Sequence, residues 1–180
     1  MHRYQKAKNF GYILACIVTL ATFELWAKEP QNDTAPATGG SFYRVEQENF
    51  KQERSCSVYV PAYSHIYLTK DNTTSLGITL SIRNVDSRRK IYISGIEYYD
   101  THGVLTEVLA KGLFALEPMA TVSYVIDQHD MRGGVGANFI VHWAGEKQIH
   151  PPIMEAVMVG SVGTKGYSFS SRGETVSCNE

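Results

Sequence analysis

The stretch LGITLSIRNVDSRRKIYISGIEYYD, residues 76–100, decides the fold. Leu76, Ile78, Leu80 and Ile82 alternate without a break with Gly77, Thr79, Ser81 and Arg83. In an extended strand successive side chains point to opposite faces, so the four apolar groups share one face. A second extended run follows from Ile91 to Tyr99, with Ile91 and Ile93 and then Ile96 and Tyr98 as its apolar positions. The phase slips by one at Ser94-Gly95, and one extra residue at a glycine is the mark of a β-bulge, which twists a strand while keeping its inner face inward. Two such strands are not stable alone and require a second sheet to cover them.

Working outward, residues 57–68 are rich in Val, Tyr and Ile around Pro61, which has no amide to give a ladder. That strand is expected at a sheet edge or broken at Pro61. Asp100-Thr101-His102-Gly103 reads as a turn, residues 104–109 as a short returning strand, and residues 110–118, with Gly112 and Pro118, as a connection. Residues 120–127 alternate again through Val122, Tyr124 and Ile126, and residues 128–136 form a polar, glycine-rich loop. Phe139, Val141 and Trp143 mark one face of a further strand. The mostly apolar run 153–162 reads as a strand buried on both faces. A turn at 163–166 and a last strand at 167–171 close the fold. About seven or eight strands at regular spacing, with turn residues between them and no helix, predict an all-β antiparallel sandwich of immunoglobulin-like type over residues 56–178.

The 180 residues suit one domain with appendages, and 43% apolar with 19% charged residues is an ordinary globular balance. A net charge of -1 gives no reason to expect nucleic acid or an anionic membrane as partner. The beginning of the chain reads differently. His2, Arg3, Lys6 and Lys8 form a basic head, residues 11–23 an apolar run, and Ala27 a small residue at an exit. This is the pattern of a secretory signal peptide over residues 1–27. The apolar run falls short of the roughly 20 residues of a spanning helix, so an uncleaved anchor over residues 10–27 is the second reading. The third is a lipoprotein box ending at Cys16, where only about six apolar residues precede the cysteine against the roughly 7–15 usual there. Residues 28–55, rich in Pro, Gln, Asn, Thr and Gly, read as a flexible linker. Phe42, Tyr43 and Phe50 could dock on the domain, without assigned structure. The expected compartment is the periplasm or cell envelope, with the membrane reached only through an uncleaved N-terminal segment.

Removal of the signal would leave Cys56 and Cys178 of the three cysteines. They flank the predicted strands, and an oxidising compartment favours their pairing as a disulfide. Asn32-Asp33-Thr34 and Asn72-Thr73-Thr74 match the glycosylation acceptor pattern, which matters only in a eukaryotic secretory pathway.

Five blocks in order resemble one family: Val58-Tyr59-Val60-Pro61-Ala62-Tyr63-Ser64-His65-Ile66-Tyr67, Leu80-Ser81-Ile82-Arg83-Asn84, Tyr98-Tyr99-Asp100, Gly133 to Val141, and Ser168 to Gly173. They are similar to the bacterial family called domain of unknown function 3124, over nearly the whole domain. The resemblance implies a bacterial exported protein and carries over no activity and no functional residue. Val135, where a small polar residue is expected, and the basic Arg88-Arg89-Lys90 depart from the pattern.

The loop from Asp127 to Asn138 is the best candidate for ligand contact. Gly133 and Gly134 would let the backbone approach an anion, and Arg132 could add charge-assisted hydrogen bonds. Asp130, Asn138, His65 and Tyr63 complete the candidate set. A phosphate loop is usually backed by a helix N-terminus, whereas here a strand follows, so glycines that permit a tight connection are the plainer account. His65, His102, His129, His142 and His150, with Asp100, Asp127 and Asp130, show no recognised metal-ligand spacing, and no metal or cofactor is expected. No Gly-x-Ser-x-Gly and no paired carboxylates mark a catalytic centre, so no enzyme is expected. What is left is a non-catalytic binding or assembly module with an envelope protein or small ligand as partner. Its surface would be outward tyrosines among Tyr63, Tyr67, Tyr92, Tyr98 and Tyr99, or an open strand edge. The alternatives are a small-ligand or metal-binding envelope protein, or a hydrolase without a recognisable motif.

Overall fold

A computed structural model describes residues 40–46 and 52–179. The expected signal peptide or anchor, Cys16 and most of the linker lie outside the described residues. Among the described residues twelve strands form three antiparallel sheets. They are β1 (Phe42–Arg44), β2 (Arg54–Pro61), β3 (His65–Thr69), β4 (Asn72–Ser75), β5 (Gly77–Arg83), β6 (Ile91–Tyr99), β7 (Leu105–Leu116), β8 (Thr121–Ile126), β9 (Asn138–Gly145), β10 (Ile153–Val162), β11 (Lys165–Arg172) and β12 (Glu174–Asn179). One sheet runs β1-β7-β6-β9-β2-β12, the other β11-β10-β5-β8, and β3 and β4 form a separate hairpin.

The two large sheets share one core. Ile78, Leu80 and Ile82 of the four-stranded sheet are fully buried, as is Leu76 just before β5, and Ile91, Ile93, Ile96 and Tyr98 are fully buried from the six-stranded one. Each such side chain stabilises the fold by about 1.5–3 kcal/mol through the surface it removes from water. The β6 ladders to both β7 and β9 shift register between Ile93 and Gly95, the bulge that the phase slip predicts. Phe139, Val141 and Trp143 of β9 complete the inner face, with the Tyr98 and Phe139 rings stacked at 4.9 Å.

Several expectations need correction. The strand count exceeds eight, because short and exposed strands carry little hydrophobic pattern. β2 breaks at Pro61, yet it lies inside its sheet between β9 and β12 rather than at an edge. Its last residue, Pro61, faces Asn138. β7 does not stop near residue 109 but continues to Leu116, the left-handed Gly112 (φ +114°) absorbing an irregularity on the way. β10 buries Met154, Ala156 and Met158 on one face only, with Val159 half exposed on the other. The chain does not end its fold at Ser171, since β12 returns beside β2. Inside the expected linker, Phe42–Arg44 forms β1 on β7, with Phe42 buried and stacked on Phe114 at 5.1 Å.

Candidate functional site

Arg132 lies in the β8–β9 loop with its charge already answered. Its Nε and Nη2 donate to both Asp130 oxygens at 2.6–3.1 Å, and Nη2 also donates to Glu107 Oε2 at 2.8 Å. The guanidinium in turn holds the Asp130 carboxyl below its usual range. Two of the glycine amides of the loop are also occupied. Gly134 N–H donates to Ser64 Oγ at 2.8 Å and Gly136 N–H to Thr101 Oγ1 at 2.9 Å. A Cβ on Gly133 would fall 1.9 Å from the Tyr98 hydroxyl, and burial pushes that hydroxyl up to about 12. These glycines therefore serve close packing over Tyr98 and Thr101, and the charge of the loop arginine is spent within the fold.

The other candidates border that loop, Ser64 between Tyr63 and His65 being hydrogen-bonded to Gly134 and Asn138 closing the loop, but they do not gather around Arg132. His65 opens β3, with Nδ1 3.4 Å from Ser64 Oγ, while the Tyr63 ring meets Phe169 edge-on at 5.8 Å. Asn138 starts β9 opposite Tyr99 and Pro61. Among the five tyrosines considered for a flat patch, Tyr67 is well exposed and Tyr98 is fully buried, so they form no common face. Among the described residues no three His, Cys, Asp or Glu side chains gather as a metal set. The basic Arg88-Arg89-Lys90 run is structural in part: Arg89 pairs with Asp86 and Glu146, and Lys90 with Glu117 and the Tyr43 hydroxyl.

A polar arrangement that periodicity alone did not single out lies on the outer face of the larger sheet. Ser57 of β2 sits across from His142 of β9, which sits across from Gly95 of β6. Ser57 Oγ lies 2.8 Å from His142 Nδ1, and His142 Nε2 lies 3.9 Å from Glu97 Oε2, which accepts a 2.7 Å hydrogen bond from the Tyr99 hydroxyl. That bond raises the Tyr99 pKa. The bulge makes the arrangement possible: a Cβ on Gly95 would come within 3.2 Å of His142 Cδ2, so the bare glycine gives the imidazole its bed. A half-open depression of about 190 Å³ adjoins it, lined by Ser57, Ser94, His142, Ser177, Asn179 and Gln52 among others, with no Asp, Glu, Lys or Arg. At its margin Cys56 and Cys178, directly opposed on β2 and β12, are joined in a disulfide, with Arg54 Nη2 4.0 Å from Cys178 Sγ. Outward alternation marks Ser57, His142 and Glu97 one at a time. Only the register of three strands distant in sequence brings them together.

The profile of the family described as protein of unknown function (DUF3124) matches residues 55–176, from the second residue of β2 into β12. The chain belongs to that family. The matched span of this DUF3124 domain holds Ser57, Glu97, Tyr99, His142 and the β8–β9 loop, while β1, Gln52, Ser177, Cys178 and Asn179 lie outside it. No curated protein matches the chain. Among solved structures, the crystal structure of Thermotoga maritima 1070 is similar at 11% identity with a TM-score of 0.38. It covers 66% of this chain and 92% of that one, a likeness too slight to speak for fold or function.

Proposed function

We propose that this DUF3124 domain is a non-catalytic binding module exported to the cell envelope, and that it grips a protein partner at the depression beside Ser57 and His142. The observation that carries this reading is the depression itself. At about 190 Å³ it is smaller than the roughly 300–1,000 Å³ of sites that enclose a small molecule, and it suits a single inserted side chain. Its lining sets hydroxyl, amide and imidazole groups beside Leu113, Trp143 and Ala144, which suits a neutral side chain with a polar end that those groups can hydrogen-bond without stranding a charge. Export is supported by the basic head and apolar run of residues 1–27, a signal peptide followed by the tether, and by two cysteines placed to pair in an oxidising compartment.

The immunoglobulin-like reading belongs here too. Two antiparallel sheets over one core support it, although the disulfide joins neighbouring strands of one sheet, whereas in antibody domains it links the two sheets.

The 2.8 Å contact between Ser57 and His142 favours a hydrolase as the second reading. Against it, β2 is paired on both sides, so its amides are committed to ladders rather than gathered as an oxyanion hole beside Ser57. One experiment addresses both readings. The chain is cross-linked in envelope extract as wild type, as His142→Glu and as Ser57→Val, and is separately treated with a fluorophosphonate. The binding module predicts a partner held by wild type and lost by both variants, with Ser57 unlabelled. Partner capture indifferent to both substitutions would sink it, and a fluorophosphonate adduct on Ser57 would replace it with the hydrolase.

A further inference from the structure

Each large sheet ends in two strands that pair on one side only among the described residues: β1 and β12, and β11 and β8. An open edge is a template for another strand, and proteins blunt such edges with brevity, charge, proline or bulges. Three of the four edges are blunted. β1 has three residues and ends in Arg44. β12 begins with Glu174, and its ladder to β2 shifts register between Thr175 and Ser177. β11 begins with Lys165 and ends with Arg172, so an antiparallel copy would set cation against cation.

β8 has none of these devices. Thr121–Ile126 contains no charge, proline or glycine, and its six residues pair with β5 in unbroken register. Its inward residues are Val122, Tyr124 and Ile126, leaving Thr121, Ser123 and Val125 outward, with Val125 71% exposed. We propose that β8 pairs antiparallel with β8 of a second copy about a two-fold axis at Ser123. In that register Ser123 meets Ser123 of the second copy and Thr121 meets its Val125, so outward residues lie opposite outward ones. On the core side Val122 meets Tyr124 of the second copy. A slip by one residue would set inward side chains against outward ones, so the pleat excludes the odd shifts, and among the even ones the axis at Ser123 pairs the most of β8. A second copy is favoured as occupant because the strand is its own complement and, being uncharged, neither repels its copy nor steers an oppositely charged partner. The two four-stranded sheets would then join into one continuous sheet. This interface lies on the smaller sheet and does not depend on the depression at His142.

The test is sedimentation of the exported chain purified from cells, over a range of concentrations. The expected result is a monomer–dimer equilibrium that Val125→Lys weakens roughly tenfold or more, while Val176→Lys, on the β12 edge, leaves it unchanged. Ser123→Lys and Ser123→Glu should each be monomeric alone and form a mixed dimer when combined, with a β-type circular dichroism spectrum retained in both. The proposal is overturned by a wild type that stays monomeric at high concentration. A dimer indifferent to Val125→Lys, or the absence of mixed pairing between well-folded Ser123 variants, overturns it equally.

Discussion

At the scale of single residues, Asn84 and Asp86 show how a surface-looking turn can hold a core together. Asn84 Nδ2 donates to the carbonyls of Arg89, Leu116 and Glu117, and its Oδ1 accepts the Asp86 amide, so one buried amide ties the β5–β6 connection to the end of β7. Asp86, also buried, accepts the amides of Arg88 and Arg89 at 2.9 Å each, and a weaker one from His150. Those amides, with Arg89 nearby, hold the Asp86 carboxyl down at about 2. An unfolded aspartate titrates near ~3.9, so the folded value is depressed, and its contribution to stability is present above that unfolded value. It is lost as pH falls through the interval toward about 2. Asp86→Asn should therefore lower the urea midpoint at neutral pH, with the gap from wild type constant down to mildly acid conditions and closing toward the folded value. A gap that did not change between neutral and strongly acid pH would show that the ionised carboxylate is not what these amides hold.

Among the elements, the sequence was legible wherever one face of a strand is buried. β5, β6, β8 and β9 carry an alternation that a reader can count, and the β6 bulge shows as a slip of phase at Gly95. β12 could not be read this way, because all six of its residues are exposed and no hydrophobic period marks a strand without a buried face. β10 misled in the opposite direction, since Val157 and Val159 are apolar yet face outward. The candidate site was legible in part for a related reason: the loop at Arg132 was visible, but its neutralisation by Glu107 of β7 depends on a contact across the fold. The register that sets Ser57 beside His142 and Gly95 is likewise not written in any one segment. β1, three residues long, tests how little a strand needs. Phe42 is its main attachment, stacked on Phe114, with the Tyr43 hydroxyl donating to Glu117 at 2.8 Å. Phe42→Ala should cost about 3 kcal/mol by removing a buried ring. It should also speed hydrogen exchange at the Val45 amide, which bonds Leu113 O, by more than at the β5 amides, which speed up only in proportion to the loss of global stability. Unchanged exchange at Val45 would mean that β1 is held by something other than this ring.

For the whole molecule, the disulfide and the proposed export belong to one argument. Cys56 and Cys178 lie 122 residues apart in sequence and face each other across β2 and β12, so their bond closes nearly the whole domain into a loop. Closing a loop of that length stabilises by about 4–5 kcal/mol in the chain-entropy model, and it does so by restricting the unfolded chain. The core supplies the fold with or without the bond, because β12 contributes no fully buried side chain and only Cys56 of the pair lies inside. Thiols stay reduced in a cytosol and pair outside it, so the compartment should set the stability of this chain. Expressed with residues 1–27 intact, the protein is expected in the envelope fraction, beginning after Ala27, with no titratable thiol in the unreduced, denatured chain. Expressed from residue 28, it is expected in the cytosol with both thiols free, still β-sheet by circular dichroism, and unfolding at a clearly lower guanidinium midpoint that oxidation in vitro restores. Equal midpoints for the oxidised and reduced chains would remove the stabilising role of the bond. Recovery of the full-length chain from the cytosol with its thiols free would remove the export reading, and each result can occur without the other.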